Sequence, residues 1–107
     1  MSLAVRENEV VSGSSDKTIK IWDRQSGQLL RTLERHSDGV RSVAVMGNDL
    51  VSASWDKTIR ISGSQSGQDS IHAFRIDGGA MCVATDGDYI AAGDAAGRIH
   101  LLRRVNV

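Results

Sequence analysis

Three histidines, His36, His72 and His100, and one cysteine, Cys82, are the chain's only imidazole and thiol groups. A tetrahedral zinc ion needs convergent donors, which sequences supply at short fixed spacings such as HxH, HExxH or paired Cys and His. No such spacing occurs, so the sequence supports neither a metal nor another cofactor. Asp16 and Asp56, each followed by Lys-Thr-Ile, have the chemistry of an acid or a base. An Asp in a tight turn also accepts bonds from backbone N–H groups just ahead of it, and that structural role is the expectation for both. A nucleophilic serine needs a base and an orienting acid. The serines here recur at a fixed interval, which explains them without catalysis, so no catalytic residue is assigned. No glycine-rich loop follows a strand and opens a helix, which excludes the usual phosphate cradle; Gly93, Asp94 and Gly97 read as turn chemistry. Cys82 stands where Ser42 stands one interval earlier and reads as a small buried residue. His72 and His100 read as surface or half-exposed groups. Trp55 is the exception. It directly precedes Asp56, where the neighbouring intervals carry Ser15 and Ala95. A large aromatic in an exposed loop is a candidate partner contact. The competing expectation is that it packs on adjacent structure.

The interval is forty residues. The stretch Val10–Asp23, VVSGSSDKTIKIWD, returns as LVSASWDKTIRIS at Leu50–Ser62, and more loosely as IAAGDAAGRIHLL at Ile90–Leu102. The register also holds outside these stretches: Ser2–Val5 lies over Ser42–Val45, Gln25–Gln28 over Gln65–Gln68, and Val43-Ala44 over Val83-Ala84, without a gap. Each interval reads as short β-branched runs separated by polar turns, which favours strands over helices. The expected strands are a (Ser2–Val5, Arg41–Val45, Met81–Thr85), b (Val10–Ser14, Leu50–Ser54, Ile90–Gly93), c (Thr18–Trp22, Thr58–Ser62, Arg98–Leu102) and d (Leu29–Leu33, Ser70–Arg75). Turns are expected at Glu7-Asn8, Gly47-Asn48 and Asp86-Gly87-Asp88, and at Ser26-Gly27 and Ser66-Gly67, where residues tolerate left-handed φ. In strand c, Ile19 and Ile21 point to one side and Thr18, Lys20 and Trp22 to the other. A strand with apolar or semi-polar residues on both sides suggests a sheet covered on both faces, as in repeated four-stranded sheets stacked around an axis.

Composition narrows the function classes. Lys+Arg and Asp+Glu balance at 13 each, without long runs of one sign, which gives no electrostatic case for nucleic acid or an anionic membrane. No stretch has the length of a membrane span or a signal peptide. A single cysteine cannot form an intrachain disulfide, so a reducing, cytoplasmic setting is the expectation.

With the repeated Ser-x-Ser-x-Asp-Lys-Thr-Ile and with Trp22-Asp23 closing strand c, the chain resembles the WD-repeat (WD40) β-propeller family over nearly its whole length. The family's Gly-His pair appears only as Arg35-His36. The resemblance implies an all-β, partial WD40-type propeller in one WD-repeat segment, 1–107. It has about three blades, near 1–35, 36–75 and 76–107, each an antiparallel four-stranded sheet with the last incomplete. It also implies a structural set within each blade: a His before strand a, a strand-b serine, the b–c turn Asp and the Trp ending strand c. Blade one offers Ser12 or Ser14, Asp16 and Trp22; blade two offers His36, Ser52 or Ser54, and Asp56, with Ser62 at the Trp position. Blade three has Ile76, Ala92, Ala96 and Leu102 there, so its polar members are gone; with the set incomplete in both, reduced rigidity is the expectation for blades two and three, with the fold unaffected. The ending Ala92–Arg103 looks like the final blade of bacterial WD-repeat sensors that follow a NACHT or AAA-type module.

In the family the b–c and d–a turns form the usual partner face. That carries over to Trp55, Ser15, Ser37, Asp38, Gly39 and Arg41, with Asp77, Gly79, Met81 and Ala95 of the next blade. The implied function is a non-catalytic scaffold that binds a protein or peptide. Three blades cannot close a ring of four to eight, so further blades are expected from a larger chain, from copies of this one, or from a complementary partner. A second reading is therefore a structural fragment that self-assembles into a closed ring. A third, a propeller enzyme, would need acids and histidines clustered at the axis, and the sequence has none.

Overall fold

The computed structural model describes residues 2–34, 36–47, 49–63, 70–86 and 89–103. Its elements among these are strands: β1 (Ser2–Arg6), β2 (Glu9–Gly13), β3 (Thr18–Asp23), β4 (Leu29–Glu34), β5 (Val40–Met46), β6 (Asp49–Ser54), β7 (Thr58–Gly63), β8 (Ser70–Arg75), β9 (Ala80–Asp86), β10 (Tyr89–Asp94) and β11 (Ile99–Arg103). Each lies within a residue or two of the expected position. They form three antiparallel sheets ordered β1-β2-β3-β4, β5-β6-β7-β8 and β11-β10-β9, the all-β partial propeller that the resemblance implied. No helix among the described residues is long and apolar enough to cross a membrane.

The forty-residue interval is preserved in the pairing. Val11 opposes Ile21, Val51 opposes Ile61, and Ala91 opposes Leu101. The irregularities repeat too: β3 and β7 shift register at Ile21/Trp22 and at Ile61/Ser62. A bulge adds local twist and re-aims the strand end, so a repeated bulge gives both sheets the same shape for stacking.

Stacking buries the apolar side chains in two layers. Val11, Ile19, Ile21 and Leu33 of the first sheet meet Val40, Val43 and Leu50 of the second. Val51, Ile59 and Ile61 of the second meet Ala80, Ile90 and Ala92 of the third. The strand-c isoleucines Ile19 and Ile59 are 0% exposed. Burying each such side chain contributes about 1.5–3 kcal/mol. Gly13 makes room for the close approach of the first two sheets, since a Cβ there would lie 2.7 Å from Val40 Cγ1. Serines of the first strands tie the layers: Ser2 Oγ accepts from Val43 N–H at 3.1 Å and Ser42 Oγ from Val83 N–H at 3.2 Å.

Turn conformations follow local chemistry with one addition. Glu7, Gly27 and Gly47 have positive φ where turns were expected. Asn48, Ser66-Gly67 and Gly87-Asp88 lie outside the described residues. The b–c turns also need a left-handed residue, supplied by Lys17 (φ 79°), Lys57 (φ 69°) and Gly97 (φ 84°). Only the third uses the residue type that carries no steric penalty there.

Candidate functional site

In the second sheet, His36 lies just before β5 and reaches two elements at once. Its Nδ1 is 2.9 Å from Asp56 Oδ2 in the β6–β7 turn, and its Nε2 is 2.7 Å from Ser52 Oγ in β6. A carboxylate at Nδ1 requires a donor there, so the ring donates to Asp56 and accepts the Ser52 hydroxyl at Nε2. The Thr58 hydroxyl donates to the other Asp56 oxygen. The Ser37 and Thr58 N–H groups donate to Asp56 at 3.1 and 2.9 Å. Burial lowers the His36 pKa against the opposing pull of Asp56, which keeps the imidazole neutral near pH 7. Burial opposes the charge on Asp56, but bonds from Thr58, His36 and Ser37 outweigh it and hold the carboxyl below the usual range.

Ser52, His36 and Asp56 thus have the connectivity of a hydrolytic triad. Ser52 is 1% exposed, however, and no acyl group reaches its hydroxyl in this packing. The arrangement pins the d–a segment to strand b and to the b–c turn. Ser54 acts separately. Its hydroxyl donates to Gly39 O at 2.8 Å and accepts from Asp56 N–H at 3.1 Å.

The first sheet divides the same set into two parts. Trp22 Nε1 donates to Ser12 Oγ at 3.0 Å. Asp16 does not join them. It caps its own turn, accepting from Thr18 N–H at 3.0 Å, from the Thr18 hydroxyl at 2.6 Å and from Lys20 at 3.3 Å. Those Thr18 bonds, with Lys20, bring its carboxyl down to about 2.

The third sheet holds a cluster that the repeat comparison missed. Asp94, its side chain fully buried, accepts from Ala96 N–H and Arg98 N–H at 2.9 Å each. Its second oxygen takes Arg98 Nε at 3.0 Å and His100 Nε2 at 2.9 Å. His100 and the Arg98 N–H are the main reasons its carboxyl falls to about 2. Asp94 occupies the place of Ser14 and Ser54, yet it takes the role that Asp16 and Asp56 have elsewhere. The rigidity expected to be lost with Ala92 and Ala96 is supplied from a different position. The available signal was a carboxylate and an imidazole six residues apart across one turn.

Around these turns lies the face that carries Trp55. Trp55 N–H donates to Gly39 O at 3.1 Å, as Ala95 N–H does to Gly79 O at 2.9 Å. The indole is seated on the third sheet, where a Cβ at Gly79 would come within 2.1 Å of Trp55 Cε3. The Arg41 guanidinium lies over the ring, 5.5 Å from its centroid. The indole is still 40% exposed. The ring packs on the adjacent blade, as the competing expectation had it, and also presents an edge to solvent. Ser15, Asp38, Gly39, Val40, Arg41 and Trp55 line a cavity of about 260 Å³. Ser37 is exposed beside it. Asp77, exposed and 3.5 Å from Arg98, half-buried Met81 and exposed Ala95 lie outside that lining.

Of the other groups singled out, Cys82 is exposed and not buried as expected. Its position matches Ser42, whose side chain reaches toward the next sheet. His100 is half-buried through its bond to Asp94. The His72 side chain and the Arg35 of the Arg35-His36 pair lie outside the described residues. Among the described residues, no three His, Cys, Asp or Glu side chains form a group suited to a metal.

Comparison with known proteins agrees with this architecture. The family described as "WD domain, G-beta repeat" matches residues 2–23 and 27–61, more than half of the chain. A segment of 34 residues, 32% of the chain, is 53% identical to the nuclear distribution protein PAC1-2 of Postia placenta and spans 8% of it. Another 34-residue match, also 32% of the chain, is 62% identical to a WD repeat-containing protein of Dictyostelium discoideum and spans 6% of it. The matched segments are thus a small part of these relatives' lengths. The crystal structure of the computationally designed Ika8 protein superposes with a TM-score of 0.82 at 32% identity. That superposition covers 95% of this chain and 32% of the designed one. The chain belongs to the WD-repeat family.

Proposed function

We propose that the chain is a non-catalytic interaction scaffold that binds a protein or peptide through the b–c and d–a turn face. The observation that carries this reading is Trp55: an indole 40% exposed, held rigid by Gly79 below and Arg41 above. A preorganised aromatic loses little conformational freedom on binding, and Trp and Arg dominate interface hot spots. Asp38 and Arg41 place opposite charges in the same cavity. Such a pair suits a segment with one polar or charged anchor and one apolar side chain laid against the indole edge. Ser37, Asp77, Met81 and Ala95 extend the same surface outward. The exposed Cys82 thiol is compatible with a cytoplasmic, reducing setting.

A displayed library of random peptides, panned against the chain, tests this reading. Selected binders should lose at least tenfold in affinity on Arg41→Ala and on Trp55→Ala. They should bind normally to Arg24→Ala, which alters an exposed residue at the c–d turn on the far side of the sheet. Binders indifferent to both Trp55 and Arg41 would remove the turn face from consideration.

A further inference from the structure

We propose that the cavity beside Trp55 is a seat for an aromatic side chain, tryptophan or tyrosine, of a bound peptide. This rests on the turn face being the binding surface and names what that surface takes. Two equivalent places in the repeat are filled differently. Between the second and third sheets the ring of Trp55 lies over Gly79, where a Cβ would come within 2.1 Å of Cε3. Forty residues earlier the pair is Ser15 and Gly39. Only backbone meets there: Ser15 Cα is 3.3 Å from where a Gly39 Cβ would stand, and Val40 N–H donates to Ser14 O at 2.9 Å. The serine side chain ends where the indole of the next pair continues. The cavity of about 260 Å³ opens on Ser15, with Asp38, Arg41 and Trp55 as its other polar and aromatic walls. It lies between the first two sheets, not on an outer sheet face.

Those walls suit a ring with a polar tip. The Arg41 guanidinium lies over Trp55, 5.5 Å from the ring centroid. A planar guanidinium has two faces, and each can stack on a ring. A guest ring beside Arg41 therefore continues the stack that Trp55 begins. Asp38 uses one oxygen on Gly39 N–H at 2.7 Å. Its second oxygen is an acceptor for an indole N–H or a phenol O–H, which aliphatic side chains lack. The chain's own four aromatic residues are placed elsewhere. Trp55 is a wall of the cavity, Trp22 bonds Ser12, Phe74 packs on the second apolar layer, and exposed Tyr89 opens β10. The guest ring is accordingly a partner's.

NMR titration of the nitrogen-15-labelled chain with N-acetyl-tryptophanamide tests the seat without any selected peptide. Shifts should concentrate at the Gly39, Val40 and Arg41 amides and at the Trp55 indole N–H. N-acetyl-cyclohexylalaninamide offers an apolar ring with neither a π-face nor a ring N–H, and it should bind roughly fivefold more weakly. Arg41→Met, which copies Met81 of the next repeat, should weaken the indole probe by roughly threefold to fivefold. Ser15→Trp should fill the seat from within and abolish the shifts, with circular dichroism confirming that the sheets persist. Peptides selected by panning should carry Trp or Tyr. An unshifted spectrum at millimolar probe overturns the proposal. So do equal binding of the cyclohexyl probe, or shifts that both Ser15→Trp and Arg41→Met leave at full size. Peptides that depend on Trp55 and Arg41 but lack an aromatic residue would overturn the seat and leave the scaffold reading intact. Probe shifts at the seat with no selectable peptide would sustain the seat and fail the scaffold reading.

Discussion

In the second sheet the carboxylate that closes the b–c turn is Asp56, two residues beyond Ser54. In the third it is Asp94, at the position of Ser54 itself. The second sheet then adds His36 from the preceding segment, so its turn is tied to another part of the chain. The third adds Arg98 and His100 from the turn and from the strand that follows it, and reaches the d–a segment only through the exposed Arg98–Asp77 ion pair at 3.5 Å. One oxygen of Asp94 takes two backbone N–H groups, a role that Ser54 and Asp56 share in the second sheet. Different residues thus meet the same requirement, which is to satisfy the turn's N–H groups where water is excluded. The two networks differ in how they reach the d–a segment: one fixes it through the buried His36, and the other touches it only through an exposed ion pair.

The largest effect that separates them is expected at the histidines. His36→Ala leaves Ser52 and Asp56 buried without their shared partner and should cost about 2–3 kcal/mol in urea unfolding. His100→Ala removes a ring 24% exposed in its side chain, while Asp94 keeps its Arg98 and Ala96 donors; the cost should stay under about 1 kcal/mol. Equal losses would mean that the third network is as far-reaching as the second.

A pH series sharpens the same contrast. His36 has a folded pKa below its ordinary 6.5, so the unfolded chain binds its proton first as pH falls. Its contribution is complete above about 6.5 and declines as pH drops through the lower folded value. Asp94 and Asp16 are held near 2 against an ordinary 3.8, so their contributions persist to about 3.8 and fade from there toward 2. Thermal melts should show a first loss below pH 6.5 that disappears in the His36→Ala variant. A second loss should follow below pH 4 in both proteins. A first loss that survives His36→Ala would assign it to another group.

The smallest effect concerns the backbone of the same turns. Lys57→Gly should stabilise by roughly 0.5–1 kcal/mol, because its φ of 69° suits glycine. Gly97→Ala should destabilise by about 1 kcal/mol for the converse reason. Both are read from denaturation midpoints.

The strands were legible because strand pattern is local. Alternating β-branched residues and turn-forming Gly, Asn and Ser set the boundaries, and the forty-residue interval aligned the copies. The roles of the polar residues were legible only in part. Ser12 and Ser14 could not be told apart in sequence, since both precede the turn by a few residues; the fold gives Trp22 to Ser12 and the turn to Ser14. Asp94 passed for ordinary turn chemistry because Ala96 occupies the aspartate position of the other copies. Its burial depends on Arg98 and His100 folding back over it. Cys82 was misplaced because burial of that side of a strand depends on a neighbouring sheet.

The sequence by itself determined the repeat, its strands and the residues at its turns, because these depend on contacts a few residues apart. Tertiary structure decided which polar groups are desolvated and whether Trp55 packs or projects. Those outcomes depend on what one sheet lays against another. Two stretches forty residues apart can share a local pattern and still differ in what covers them.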